Sequence, residues 1–522
     1  MSWHKNPVVY EINAKLWLNE LTAQSLDKKP PVTLSNVPQE KMDQLRDLGF
    51  DAVWLMGAWE RSPAGRELDQ HNQGLITECK QSLDDFKLED IVGSPYAIRC
   101  YRIDPVFGGE EGLAIFRDEL RARGMKLVLD FVANHLAIDN CWVQESPDLF
   151  LQGCPADLEN GNNFFSVEEA GRQLIFAHGR DPGFAGWPDT VQLDYRLRKT
   201  REFMIGTLLD IAGICDGLRC DMAMLTREDI FLRTWGYGFA STVREFWDEA
   251  IQKLKQRYPD FVMMAEVYWF QEDGKLQNFG FDYTYDKWLY DVLRDNRVDD
   301  LRQHLRTDLQ YQLRTVRFLE NHDETPAAQV FGQRGKMAAT LALTLPGMRL
   351  VQDGQLEGRC WKVPIQAGRR KHEEPDADLT QFYVQLLNAL SDPVFHDGQW
   401  QLLEPQEVHG DGTYRNLMVY QWLLGKERRL VAVNLSALDA CCSIRVNMPE
   451  LAGRDLCNLQ DLLDTESHPP DKSQLLNSSG IFLALPGYGY KMFKLEVLLP
   501  TGFEYRDSIR QDEGITDRAR HG

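Results

Sequence analysis

The chain has 522 residues, 43% of them hydrophobic, enough to bury a large core and to form more than one domain. Its 58 basic and 79 acidic residues give a formal charge of −21, which disfavours contact with phosphate backbones and excludes nucleic acid as the expected partner. No run approaches the roughly 18 apolar residues of a membrane span, and the opening Met1-Ser-Trp-His-Lys-Asn-Pro7 lacks the apolar centre of a secretory signal. The expected compartment is therefore the cytoplasm, without membrane association. Ten cysteines show no Cys-x-x-Cys spacing of the kind used for zinc or redox work, and Cys141 with Cys154 is the one pair that invites a test for a bridge.

In chain order, short β-rich apolar runs alternate with amphipathic stretches. A strand is predicted at 8–12, a helix at 39–48, a strand at 52–56, a helix at 111–123 and a strand at 126–131. The pattern continues with a helix at 197–211, a strand at 217–220, a helix at 241–258 and strands at 261–265 and 280–283. A helix at 287–301 and strands at 315–319 and 348–351 complete it. Eight strands joined by crossover helices predict an α/β fold, a (β/α)8 barrel, over residues 1–392. The connection 136–191 after the third strand is too long for a simple loop and predicts an inserted subdomain. Beyond it, short alternating stretches predict a C-terminal antiparallel β-sandwich domain at 393–499, and the polar 500–522 segment is expected to add no core.

Several strand ends carry groups able to handle a sugar or a proton. Asp130 to His135, Gly217 to Asp221, Ala265-Glu266-Val267 and Glu320 to Asp323 put three carboxylates, Asp221, Glu266 and Asp323, at the carboxyl ends of three strands, where parallel barrels gather their sites. Arg219 and Asp221 are two apart on a strand and share a face, so the guanidinium would hold the carboxylate ionised. Standing alone, that pair would read as an ordinary strand salt bridge. Glu266 leaves an apolar run, and partial burial there would raise its pKa and keep it protonated as a general acid. His135 alone would read as a satisfied core histidine or a metal ligand. Their joint order is what argues for one site.

In that order and spacing the motifs resemble the signature regions of the α-amylase superfamily, glycoside hydrolase family 13. Asp130-x-x-x-Asn134-His135 is similar to the first region, Gly217-x-Arg219-x-Asp221 to the second, Glu266 to the third and Asn321-His322-Asp323 to the fourth. Gln192-Leu-Asp-Tyr195 resembles the additional region at the end of the inserted subdomain. The resemblance implies a retaining glycosidase with Asp221 as nucleophile, Glu266 as acid/base and Asp323 as transition-state stabiliser. It further implies Tyr96, His135, Arg219 and His322 as sugar-binding residues, a carbohydrate substrate and α-glucosidic bonds in short α-1,4-linked oligosaccharides or small α-glucosides.

Met224-Leu225 departs from the Lys-His pair found there in many α-amylases, which weakens the case for ordinary starch recognition. Tyr268 and Trp269 could supply a substitute platform on the leaving side. No cofactor is required by this chemistry, and calcium is a candidate with Asn134 as ligand. Two other readings use the same sequence: a transglycosylase or isomerising relative with a sugar acceptor, and an inactive binding or scaffold protein.

Overall fold

The computed structural model describes residues 2–25, 30–159, 161–169, 171–236, 244–269, 271–446, 456–464, 471–475 and 480–497. Eight parallel strands close into a barrel: β1 (Val8–Asn13), β2 (Ala52–Met56), β3 (Lys126–Val132), β4 (Gly217–Asp221), β5 (Val262–Ala265), β6 (Tyr283–Tyr285), β7 (Thr315–Arg317) and β8 (Met348–Gln352). Each pairs with its neighbours in sequence, and β8 closes on β1. Helices cover the outside and side chains fill the inside, so strands such as Ala52-Val-Trp-Leu-Met56 are buried on both faces and read as continuous apolar runs.

Several expected elements differ, the seventh strand among them, which ends at Arg317 rather than at 319. The sixth strand, expected at 280–283, begins at Tyr283, because Gly280 adopts φ 109 in a turn and the Asp282 carboxylate bonds the Met263 main chain and Lys255. A glycine is needed there: a Cβ would also meet Ile251 Cγ2 at 3.0 Å. The expected helix 287–301 is two helices, Lys287–Arg294 and Val298–Leu305, parted where Asn296 takes φ 54. The helix expected at 241–258 is seen as Phe246–Arg257, and residues 241–243 lie outside the described residues.

The segment after β3 folds back on the barrel mouth. His135–Ala137 pairs antiparallel with Thr190–Gln192, and Phe164–Glu169 forms a hairpin with Arg172–Ala177. Its chain passes so close to the mouth that a Cβ on Gly179 would lie 2.7 Å from His135 Cβ.

Toward the C-terminus a six-stranded sheet runs in the order Gln399–Leu403, Leu417–Leu424, Glu427–Asn434, Tyr490–Val497, Leu456–Asp461, Asp471–Leu475, all antiparallel. Alternation divides its labour. Met418, Tyr420 and Trp422 join the barrel's core, while Leu417 and Val419 face a second core shared with the strand pair Ala440–Ile444 and Ile481–Leu485. The first face is also pinned by hydrogen bonds, Thr344 Oγ1 to Tyr420 Oη at 2.6 Å and Trp422 Nε1 to the Thr344 carbonyl at 2.8 Å. The expected polar tail 500–522 lies outside the described residues. Among the described residues no helix is long and apolar enough to cross a membrane. The described cysteines are free thiols, and Cys141 faces Cys100, with their sulfurs 3.6 Å apart, rather than Cys154.

Trp422 is fully buried at the junction of sheet and barrel. Trp422→Ala should lower stability by about 3–5 kcal/mol in urea unfolding, the cost of emptying a large core position.

Candidate active site

The mouth of the barrel is built around a cation with no access to solvent. Arg219 points inward from β4, where the register sets it beside Asp130 of β3 and Met264 of β5. One guanidinium nitrogen, Nη1, donates to Asp221 Oδ1 at 3.0 Å, and the other, Nη2, is in close ionic contact with Glu266 Oε1. Rings of Tyr96, Trp54 and Tyr285 lie 5.0, 5.3 and 5.8 Å from its carbon, the last also accepting a long hydrogen bond from Nε. Burial works against this charge, but Glu266 and the surrounding rings and carboxylates outweigh it and hold the guanidinium ionised.

Glu266 is brought to Asp221 by the main chain. Its N–H donates to the Cys220 carbonyl at 3.0 Å, extending the β4–β5 ladder one step past the strand, and its own carbonyl accepts from Ala223. Directly after Asp221, Met222 takes the left-handed conformation, φ 39 and ψ 47, which costs a non-glycine residue about 1–2 kcal/mol. That turn aims the Met222 N–H at Glu266 Oε2, 2.7 Å away. Burial, reinforced by the charges of Asp221 and Asp323 and opposed by Arg219, pushes the Glu266 carboxyl up to about 8. Asp221 keeps one oxygen, Oδ2, without a partner.

Asp323 has the opposite setting. Its side chain is 40% exposed, and Oδ2 lies 3.1 Å from His322 Nε2 and accepts from the Tyr268 hydroxyl at 3.2 Å. Desolvation would raise this carboxyl, but the charge of His322 prevails and holds it well below the usual range. His322 is itself clamped, with Nδ1 on Glu11 Oε1 at 2.5 Å and Nε2 also 2.8 Å from the Tyr96 hydroxyl. Desolvation disfavours the imidazolium, yet Asp323 and Glu11 raise it well above the ordinary histidine value. Tyr96 stacks on this ring at 5.4 Å.

Asp221, Glu266, Asp323, Tyr96 and His135 line one cavity of about 370 Å³ with Asp69, Ser94, Trp187, Asp189, Met222, Tyr268 and others. Its size falls in the range of small-molecule sites. Arg219 and His322 support that cavity from beneath. His135 is kept neutral by burial and packs against Trp187, with ring centroids 4.9 Å apart. A larger crevice of about 640 Å³ at the opposite end of the barrel, near Trp3 and Arg121, contains none of these groups.

Several residues fall elsewhere. Asp130 stays below the cavity, accepting from the Trp54 indole N–H and the Gly57 main chain, and so shapes the turn after β2. Met224 and Leu225 are buried in the short turn Ala223–Thr226 and do not reach the cavity, so the substituted pair presents no side chain to a substrate. Of the two aromatics after Glu266, Tyr268 lines the cavity, whereas Trp269 packs against Arg233. The surroundings of Asn134 do not fit calcium. The Gln192 amide nitrogen sits within hydrogen-bonding reach of Asn134 Oδ1, the Asn134 carbonyl and the Leu193 carbonyl, occupying the place a cation would take. The nearby Asp194 carboxylate is paired with Arg196. Sequence reasoning missed Glu11, whose signal was a lone acid inside the apolar strand Val8–Asn13. It also missed Asp69, Trp187 and Asp189, which long connections carry to the site without any local signature.

Three carboxylates and an arginine stand at the carboxyl ends of the strands of a closed parallel barrel, where such barrels gather their sites. Residues 37–173 match the α-amylase catalytic-domain model. Alpha-amylase MalA of Haloarcula japonica is 23% identical over 449 residues, covering 84% of this chain and 56% of its own length. Alpha-amylase 2 of Dictyoglomus thermophilum is 21% identical over 431 residues, covering 76% and 65% respectively. The chain thus spans less than two thirds of the length of either relative. The crystal structure of the maltogenic α-amylase AmyB from Thermotoga neapolitana superposes with a TM-score of 0.64 at 19% identity, over 95% of this chain and 99% of that one. The chain is thus similar to α-amylases in sequence over residues 37–173 and shares their fold.

The electrostatics give a prediction with a definite sign. Because folding raises the Glu266 carboxyl above its ordinary value of 4.5, the folded state holds this proton more tightly than the unfolded one. Glu266 therefore contributes stability at low pH that is lost as pH rises from about 4.5 through about 8. Asp221→Asn removes one of the raising charges and should move the Glu266 midpoint downward, read by carbon NMR of labelled glutamate carboxyls.

Proposed function

We propose that this protein is a retaining glycosidase acting on α-glucosidic bonds of short oligosaccharides or small α-glucosides. The observation that carries this reading is the guanidinium of Arg219 shared by Asp221 and Glu266, which keeps the two carboxyls adjacent while burial holds the proton on Glu266. That is the requirement of double displacement.

In the proposed cycle, Asp221 attacks the anomeric carbon through Oδ2, the oxygen left without a partner. The bond from that carbon to the leaving oxygen breaks as Glu266 delivers its proton to the oxygen. Glu266, now a carboxylate, takes a proton from water, whose oxygen attacks the same carbon and returns Asp221 to its free form. Asp323, held ionised by His322, stabilises the positive charge that develops on the sugar in both steps. Tyr96 and His135 hold the sugar in the cavity. The cavity lining carries five carboxylates and no lysine or arginine, which supports a neutral sugar over a phosphorylated one. The free thiols of the described cysteines suit the reducing cytoplasm as the site of action.

Maltose, maltooligosaccharides, sucrose and trehalose should be incubated with the protein and followed by proton NMR. Hydrolysis with an initially α-configured product is expected. An initially β-configured product would overturn the retaining mechanism, and products longer than the substrate would move the reading to transfer between sugars. Glu266→Gln should lower turnover by about 10²–10⁴-fold while leaving folding intact, since the amide bonds but delivers no proton; circular dichroism and initial rates decide this. Unchanged turnover would remove Glu266 from the acid role.

A further inference from the structure

At the opposite end of the barrel from the cavity, His4, Asp51 and His396 converge from three distant parts of the chain. His4 precedes β1, Asp51 immediately precedes β2, and His396 lies in the helix Pro393–Asp397 that leads into the C-terminal sheet. One ligand atom from each lies within 4.8 Å of the other two. His4 Nε2 is 3.6 Å from Asp51 Oδ1, His396 Nδ1 is 3.8 Å from Asp51 Oδ2, and the two imidazole centroids are 4.6 Å apart.

These separations are too long for hydrogen bonds and close to those of ligands around a shared ion. Zinc bonds to nitrogen and oxygen of about 2.0–2.2 Å place tetrahedral ligands about 3.3–3.6 Å apart. His396 is 5% exposed, and its Nδ1 has no hydrogen-bond partner. With a hydrogen on Nδ1, Asp51 is out of reach; without one, a lone pair faces a carboxylate in a buried place. Either state leaves a buried polar atom unsatisfied. A cation between the two groups would satisfy both.

The surroundings hold these side chains in place. The Asn6 side-chain amide donates to the His396 carbonyl at 2.8 Å, which ties this helix to the N-terminal segment beside His4. Asp51 is steadied by the Val8 N–H on Oδ2 at 2.7 Å, which leaves Oδ1 toward His4. Arg349 adds a positive charge nearby, but its guanidinium is committed to the Asn6 and Phe395 carbonyls, and Asp397 contributes an offsetting negative charge. The side chain of His4 is 50% exposed and free to close the remaining distance.

We infer that His4, Asp51 and His396 form a binding site for a divalent transition metal of the zinc type, with a coordination position open to water, that clasps the N-terminal segment and the base of the barrel to the helix before the C-terminal sheet. Two imidazoles and one carboxylate suit zinc and its neighbours rather than calcium or magnesium, which prefer oxygen throughout. The site is structural and stands far from the sugar cavity, so hydrolysis does not run through it.

The test uses the untagged full-length protein, stripped with a chelator and titrated with Co²⁺, whose visible absorption reports coordination number, followed by displacement with Zn²⁺ and elemental analysis. One metal per chain, a visible spectrum of four- or five-coordinate Co²⁺ and a raised melting temperature are expected. His4→Ala, at an exposed position, should keep the fold and weaken binding by more than about tenfold. His396→Gln should abolish it. Absence of saturable binding, or Co²⁺ binding unchanged in His4→Ala, would overturn the proposal whether or not His396→Gln folds, and glycosidase assays on His4→Ala would keep its outcome separate from that of the sugar site.

Discussion

The active end of this molecule depends on one buried cation that two carboxylates must share. Arg219 has no route to water, and burying an isolated guanidinium would cost many kilocalories per mole. Its position is tolerable because Asp221 and Glu266 both touch it and three aromatic faces surround it. One positive charge faces Asp221, Glu266 and, at 3.8 Å, Asp130, which leaves room for a proton, and burial keeps that proton on Glu266. The division of labour proposed for the two acids follows from this arrangement, without either residue having an unusual side chain.

A second clamp sets the third carboxylate. Glu11, from the first strand, and Asp323, from beyond the seventh, flank His322 and keep it charged, and that charge in turn keeps Asp323 ionised. The barrel's closure makes this possible by bringing β1 and β7 to either side of β8. Local strain has a place in the same design. Met222 is held left-handed so that its N–H meets Glu266, a conformation maintained by the packed turn Ala223–Thr226 behind it. Met224 and Leu225 belong to that packing, so their apolar side chains stay out of the cavity.

Much of the fold was legible because strand ends in a parallel barrel are marked by an abrupt change from apolar to polar residues. Asp221 and Glu266 stand at such changes, and period-two spacing placed Arg219 on the same face as Asp221. The misplaced sixth strand and the divided helix at 287–301 turned on single residues, Gly280 and Asn296, whose left-handed conformations do not interrupt the apolar pattern. Contacts between distant segments were hidden for a different reason. Glu11 with His322, Gln192 with Asn134, and Asp69 in the cavity wall depend on how loops return to the mouth, which no local spacing encodes. The same limit concealed the convergence of His4, Asp51 and His396.

In the proposed cycle Asp221 is the group that bonds to sugar. A fluorinated α-glucosyl fluoride, which forms the glycosyl-enzyme readily and releases it slowly, would trap that species for peptide mass spectrometry. The arrangement around Arg219 predicts one sugar per chain, attached to Asp221 and absent in Asp221→Asn. A label on another residue, or rapid turnover through an inverted product with no label at all, would contradict it.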